Sequence, residues 1–184
     1  GIIIEENTIL KILSKRYTNV VITKISNRED LDKLLKRKPD LVFSGVKYFD
    51  FNEEKIWLND CLELYDIPYI ASSKQALDNE SDKDRAKKLI LKAKIKTADF
   101  FVTDPDEYQS EISIPISFPL FIKPVKGGDS RGIDSSSVVY NFSSFKRKVY
   151  EIKHEFKLSS LVETYLPGKE YSVGILQDST NGTL

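Results

Sequence analysis

The chain has 184 residues, and its 28 basic side chains balance 28 acidic ones, so the formal net charge is zero. That balance gives no general electrostatic attraction to nucleic acid or to an anionic membrane, and no apolar run approaches the roughly 20 residues that cross a bilayer as a helix. A single cysteine, Cys61, excludes an intrachain disulfide and fits a reducing cytoplasm.

The first part of the chain alternates apolar runs with amphipathic segments. Residues 2–5 (IIIE) read as a strand, 8–17 as a helix with Ile9, Ile12 and Leu13 on one face, and 19–25 (NVVITKI) as a second strand. Residues 28–38 carry acidic groups early and basic groups late, which suits the helix dipole. Pro39-Asp40 leads into a strand at 41–45. Residues 52–66 predict an amphipathic helix with Ile56, Trp57, Cys61, Leu62 and Leu64 apolar, and 67–72 a further strand. Strands and helices alternating at this spacing predict an α/β fold, with a doubly wound parallel-sheet domain over residues 1–75.

A different pattern follows over 76–184. Residues 73–79 and 81–95 read as helices, the second capped by Ser81. Strands are expected at 97–104, 118–125 (FPLFIKPV) and 136–141, and a long helix at 142–157 with Phe145, Val149, Ile152 and Phe156 at helical spacing. Two last strands, 159–166 and 170–178, are separated by Pro167-Gly168-Lys169. This half reads as α+β with antiparallel hairpins, and the junction falls near residues 73–82. The basic run 146–157, which holds His154, reads as a solvated helix face, and Cys61 as core packing. The chain contains no methionine, opens in a predicted strand and stops at Leu184 just after another, so it is expected to be a fragment of a longer protein.

The chemistry concentrates in residues 118–133, FPLFIKPVKGGDSRGI. Gly127, Gly128 and Gly132 permit backbone conformations closed to other residues, and exposed N–H groups in such a loop cradle a phosphate. Lys123 sets an ammonium just ahead of the loop, and Ser130 and Arg131 add donors. The lysine precedes the glycines, so this is not a Walker loop, and the dinucleotide fingerprint is absent. The same residues also read as a plain hairpin turn beside a snorkelling lysine. Further on, LVETYLPGKEY puts Glu163 and Glu170 on either side of a short connection. Carboxylates and backbone groups so arranged can grip a purine amino group and a ribose, or simply decorate a solvated hairpin.

Taken in order, PDLVFSG, LNDCLELYDIPYIAS, SDKDRAKKLILKAKIKTADFFV, FPLFIKPVKGGDSRGI and LVETYLPGKEYSVGIL resemble the ATP-grasp superfamily, and within it the D-alanine–D-alanine ligase-like carboxylate–amine ligases. The resemblance covers roughly residues 39–178. It implies a pre-ATP-grasp domain over 1–75, then the α+β small subdomain of an ATP-grasp fold over 76–184, with the C-terminal part missing. Lys83 and Lys123 match the two phosphate lysines, with Lys123 and Arg131 the catalytic candidates. Gly127, Gly128, Asp129, Ser130 and Gly132 match the glycine lid over the ATP phosphates. Glu163, Thr164, Tyr165 and Leu166 match the adenine hinge, Leu166 through its backbone, and Glu170 matches the ribose carboxylate.

The implied reaction joins a carboxylate to an amine through an acylphosphate, using ATP and a small carboxylate or amino-acid substrate. Magnesium ligands are expected beyond the C-terminus, so the fragment alone is expected to be inactive. The resemblance further implies a homodimer, while the lone cysteine and the balanced charge point to a cytoplasmic protein with neither nucleic-acid nor membrane partners. Two features depart from D-alanine ligases: 4–9 reads IEENTI without glycines, and the lid reads Asp129-Ser130-Arg131 in place of a Ser-Ser pair. Alternative readings are a carbamoyl-phosphate-synthetase or biotin-carboxylase type of ATP-grasp enzyme, and a non-catalytic nucleotide-binding scaffold.

Overall fold

A computed structural model describes residues 5–128 and 130–174, and the backbone of the short strands 177–178 and 182–183. The chain divides into two compact units, Gly1–Ile95 with Val125–Arg131, and Lys96–Pro124 with Gly132–Leu184.

In the first unit, helix α1 (Glu6–Leu13) is followed by α2 (Arg28–Arg37). The Asn27 side chain accepts the Asp30 N–H at 2.9 Å and so caps α2, and Lys38 closes the helix in a left-handed conformation. Strand β1 (Val42–Phe43) pairs in parallel with β4 (Tyr69–Ile70). Between them lie the hairpin β2 (Tyr48–Phe51) and β3 (Glu54–Trp57), then α3 (Leu58–Leu64). Leu31, Leu34 and Leu35 of α2 pack with Ile56, Leu58, Leu62 and Ile67 to form the core. Cys61 lines this core, and burial pushes its thiol pKa up. Helices α4 (Lys74–Ser81) and α5 (Lys83–Lys92) complete the unit.

Several expectations change here. Residues 2–4 lie outside the described residues, and 19–25 is not a strand, although Ile25 packs against the core. Of the expected parallel sheet, the described residues show the one pair β1–β4. The helix expected from residue 52 begins only at Leu58. Asn52 and Glu53 instead take positive φ (50° and 68°), the left-handed pair that turns a two-residue hairpin. Phe49, Phe51 and Ile56 then reach the core at period two, and that alternation overrides the helical reading. Helix α5 is capped by Asp82, which accepts the Arg85 N–H at 3.1 Å, and not by Ser81, whose hydroxyl bonds back to Leu77 O at 2.9 Å.

The second unit is a four-stranded antiparallel sheet in the order β5 (Phe100–Thr103), β8 (Ser160–Thr164), β6 (Leu120–Pro124), β7 (Val138–Val139). Helix α6 (Phe142–Phe156) covers one face, with Phe145, Val149 and Ile152 packed on Leu120, Ile122, Val139 and Val162. Both hydrogen-bonding edges of β8 are taken, by β5 and β6, so the expected hairpin between 159–166 and 170–178 has no edge to form on. Residues 170–174 are not in a strand, and β9 (Gln177–Asp178) pairs with β10 (Gly182–Thr183).

Glu53 holds a left-handed conformation that costs an ordinary residue about 1 kcal/mol relative to glycine. Glu53→Gly is therefore expected to stabilise the chain by roughly that amount, about 1 kcal/mol, in urea unfolding followed by circular dichroism. A destabilised variant would show that the Glu53 side chain itself holds the hairpin.

Candidate functional site

The glycine loop of the first unit is tied to the junction between α4 and α5. The Lys83 N–H donates to Val125 O at 3.0 Å, and the Gly127 N–H donates to Ser81 O at 3.0 Å. An antiparallel bridge joins Asp82 and Lys126 between these bonds. Lys83, the first residue of α5, also donates from Nζ to Gly127 O at 2.6 Å. The structure thus brings Lys83 and Gly127 together at the positive end of a helix dipole, with Lys126 beside them, 3.6 Å from Asp82. Arg131 returns its N–H to Gly128 O at 3.2 Å, and Ser130 sits at φ 57°. Asp129 lies outside the described residues.

The glycines have different reasons to be there. Gly127 has φ 94°, so the backbone demands it. Gly132, in the second unit, has φ 75°, and a Cβ there would lie 2.6 Å from Pro124 Cγ and 3.0 Å from Phe156 Cε2. At Gly128 the nearest atom to an added Cβ is Glu80 Oε1 at 3.8 Å, an ordinary contact. Neither φ nor packing explains Gly128. A bare backbone at that point leaves room for something to approach it.

The second unit carries the other candidates on the sheet face away from α6. Alternation sends Leu120 and Ile122 to the core, and Phe121 and Lys123 to the opposite face. Glu163 is in register with Phe121, and Leu161 with Lys123, so all four share that face. Lys123 forms an ion pair with Glu163, their side chains only 21% and 11% exposed. The Phe121 ring lies 5.4 Å from Lys123 Nζ and supplies a cation–π contact. Sequence reading missed Phe121, although the period-two alternation that exposes Lys123 on this face also marks Phe121. It also missed Glu80, whose carboxylate lies beside Gly128 and is paired with Lys47.

Past β8 the chain is held by its backbone. Thr164 N–H donates to Asp99 O at 3.0 Å, and Tyr165 N–H to Pro119 O at 3.1 Å. Leu166 is 67% exposed and has no backbone–backbone hydrogen bond among the described residues. Glu170 is exposed, and the described structure brings it to none of the other candidates. Among the described residues, no three His, Cys, Asp or Glu side chains converge as a metal site.

Comparison with known proteins gives this arrangement its context. The family model described as D-ala D-ala ligase C-terminus matches residues 89–184. The chain belongs to the D-alanine–D-alanine ligase family. It is 30% identical over 155 residues to a D-alanine–D-alanine ligase of Aquifex aeolicus, covering 80% of this chain and 50% of that protein. The crystal structure of D-alanine–D-alanine ligase from Bacillus anthracis superposes with a TM-score of 0.62 at 21% identity, over 90% of this chain and 55% of that one. A second structure from Bacillus anthracis, complexed with ATP, gives 0.56 at 23% identity over 76% of this chain and 45% of that one. The likeness shows an α/β fold shared with these two structures. The chain spans about half the length of the curated relatives it matches.

The ion pair makes a direct prediction. Lys123→Ala removes the ammonium beside the Glu163 carboxylate in a poorly hydrated place and should cost roughly 3 kcal/mol in urea unfolding. Glu163→Gln should cost less, because the amide is neutral and Lys123 is the more exposed partner. Equal, negligible losses would mean that the pair is energetically idle.

Proposed function

We propose that this chain is the nucleotide-binding portion of an ATP-dependent carboxylate–amine ligase that makes an amide bond through an acylphosphate. The observation that carries the proposal is the Lys123–Glu163 pair, fixed on neighbouring strands within a chain that belongs to this family. Glu163 holds the Lys123 ammonium in place before any phosphate arrives. When a nucleotide binds, the ammonium turns to the phosphates, and the carboxylate accepts from the adenine amino group. The peptide groups of Leu166 meet the purine edge, and Glu170 is proposed as the ribose acceptor. Lys83 and the loop around Gly127, Gly128, Ser130 and Gly132 bind the phosphates, with Asp129 assigned to the same loop from sequence.

In the first step a substrate carboxylate oxygen attacks the γ-phosphorus of ATP. A P–O bond forms, the bond to the bridging oxygen breaks, and ADP leaves. In the second step an amine attacks the acyl carbon, inorganic phosphate departs with the electrons of the C–O bond, and the amine loses a proton. Lys123, Lys83 and Arg131 neutralise charge on the transferring group, and catalysis is mainly positioning and electrostatics. The relatives' names support a small amino acid such as D-alanine as substrate. They also favour the ligase over the carbamoyl-phosphate-synthetase and scaffold alternatives. Among the described residues no three His, Cys, Asp or Glu side chains converge, and no step is assigned to a metal.

The division into a pre-ATP-grasp domain over 1–75 and a partial ATP-grasp domain over 76–184 belongs to the same proposal, as do a cytoplasmic location and a homodimer. No helix among the described residues is long and apolar enough to cross a membrane.

Calorimetric titration of ATP and ADP, with and without Mg²⁺, tests the proposal on this chain and on a chain of the relatives' full length. Binding that Lys123→Ala weakens at least tenfold is the expected result, since a hydrogen bond to a charged group contributes roughly 1.5–3 kcal/mol. Absence of binding to the full-length chain would overturn the ATP reading.

A further inference from the structure

Three of the four Lys and Arg side chains on α6 are committed to carboxylates of the second unit. Lys148, only 2% exposed, bonds Asp134 Oδ2 at 2.9 Å and Glu151 Oε1 at 3.1 Å, so the basic run expected to be a solvated face is buried at this position. Lys146 lies 3.5 Å from Asp106, and Lys153 lies 2.7 Å from Asp104. Arg147 is the exception: among the described residues it has no hydrogen bond or ion pair. Its natural partner four residues on, Glu151, is taken by Lys148. The planar fork of an arginine matches a carboxylate, and here no carboxylate of the described chain fills it.

Arg147 lines a groove between α6 and the chain that follows β5, entirely within the second unit. The groove encloses about 330 Å³, and small-molecule sites occupy about 300–1,000 Å³. Its surface is mainly apolar: Phe145 and Val149 come from the core, Tyr108 packs edge-on to Phe145, and Tyr150 is steadied by stacking on His154. The wall opposite the helix is held from several sides. Asp104 Oδ2 accepts the Ser159 hydroxyl at 2.8 Å, and Lys153 and then Ser159 hold the Asp104 carboxyl below the usual carboxylate range. The Thr103 hydroxyl donates to Glu107 Oε2 at 2.9 Å, and Gln109 Nε2 donates to Asp106 O at 2.8 Å, with Asp106 at φ 65°. Both acidic side chains of the groove are thus matched by lysines, and Arg147 leaves it one positive charge in excess.

We propose that this groove is a binding site for a small organic anion, a carboxylate carried on a flat apolar body. Arg147 takes the carboxylate, and Tyr108, Phe145, Val149 and Tyr150 take the body. An inorganic anion would leave the aromatic lining wet, and a neutral ring would leave the arginine unused; the two halves of the lining together specify the ligand class. The groove lies on the α6 side of the sheet, whereas Lys123 and Glu163 lie on the opposite face, so this site is separate from the nucleotide site proposed above.

A nuclear magnetic resonance titration of the ¹⁵N-labelled 184-residue chain with phenylacetate tests the proposal. Saturable shifts confined to the amides of 104–108 and 145–150 are expected, with a Kd of about 1 mM, ordinary for a ligand of about ten non-hydrogen atoms. Phenylacetamide has the same shape without the charge and should bind about tenfold more weakly. Arg147→Gln should weaken phenylacetate by about the same factor and leave phenylacetamide unchanged. Tyr150→Ala should weaken phenylacetate by removing part of the apolar lining. Arg147 and Tyr150 are both exposed, so neither substitution disturbs the core, and an unchanged Tm checks this. Absence of saturable shifts well above that Kd, shifts scattered over the sheet, or equal binding of acid and amide would overturn the proposal. So would phenylacetate binding that either substitution leaves unchanged. The calorimetric titration with nucleotides bears on none of these outcomes.

Discussion

An ammonium and a carboxylate on neighbouring antiparallel strands, each largely withdrawn from water, constrain everything around them. Neither Lys123 nor Glu163 is comfortable there alone, because a poorly hydrated charge needs a partner of opposite sign. Their pairing depends on register: β6 and β8 place Phe121 opposite Glu163, so that Lys123 lies one step along the same face. A slip of one residue would turn Lys123 into the core and Ile122 out of it. The apolar layer under α6 and the charged pair on the other face therefore specify the same alignment.

The chain after Lys123 leaves the second unit at Pro124 and returns to it at Gly132. Pro124 ends β6 and packs on Gly132, where the chain returns, so the excursion begins and ends at one place. The upstream half of the loop is then fixed by backbone bonds to residues 81–83, and Lys83 spans it from the start of α5. The proposed phosphate role asks the loop to hold its donors still and still admit its ligand.

Much of this was legible in the sequence because the signals are local. The strand-lysine-proline-glycine run is readable from residue types alone, and α6 from four apolar residues at helical spacing. The sheet of the second unit follows from short β-rich segments, although sequence alone did not show that β5 and β6 would take both edges of β8 and deny 170–178 its expected partner. That is a property of pairing over long separations, not of either segment. The hairpin at 48–57 was hidden because Ile56, Trp57, Cys61 and Leu62 satisfy a helical pattern equally well, and only the left-handed pair Asn52-Glu53 decides between them. Lys148 was hidden for the opposite reason: a charged residue in a basic run is ordinarily solvated, and its burial is visible only once Asp134 is brought beside it. Lys123 and Glu163 were both singled out, yet their mutual contact was not, since forty residues of chain separate them.

A crystal structure of the full-length chain with a non-hydrolysable ATP analogue tests the central claim most directly. The account predicts that Lys123 Nζ leaves Glu163 for a phosphate oxygen, while the Glu163 carboxylate accepts from the adenine amino group. A nucleotide bound elsewhere, or one bound with the Lys123–Glu163 pair still closed and no phosphate contact to Lys123, would contradict it.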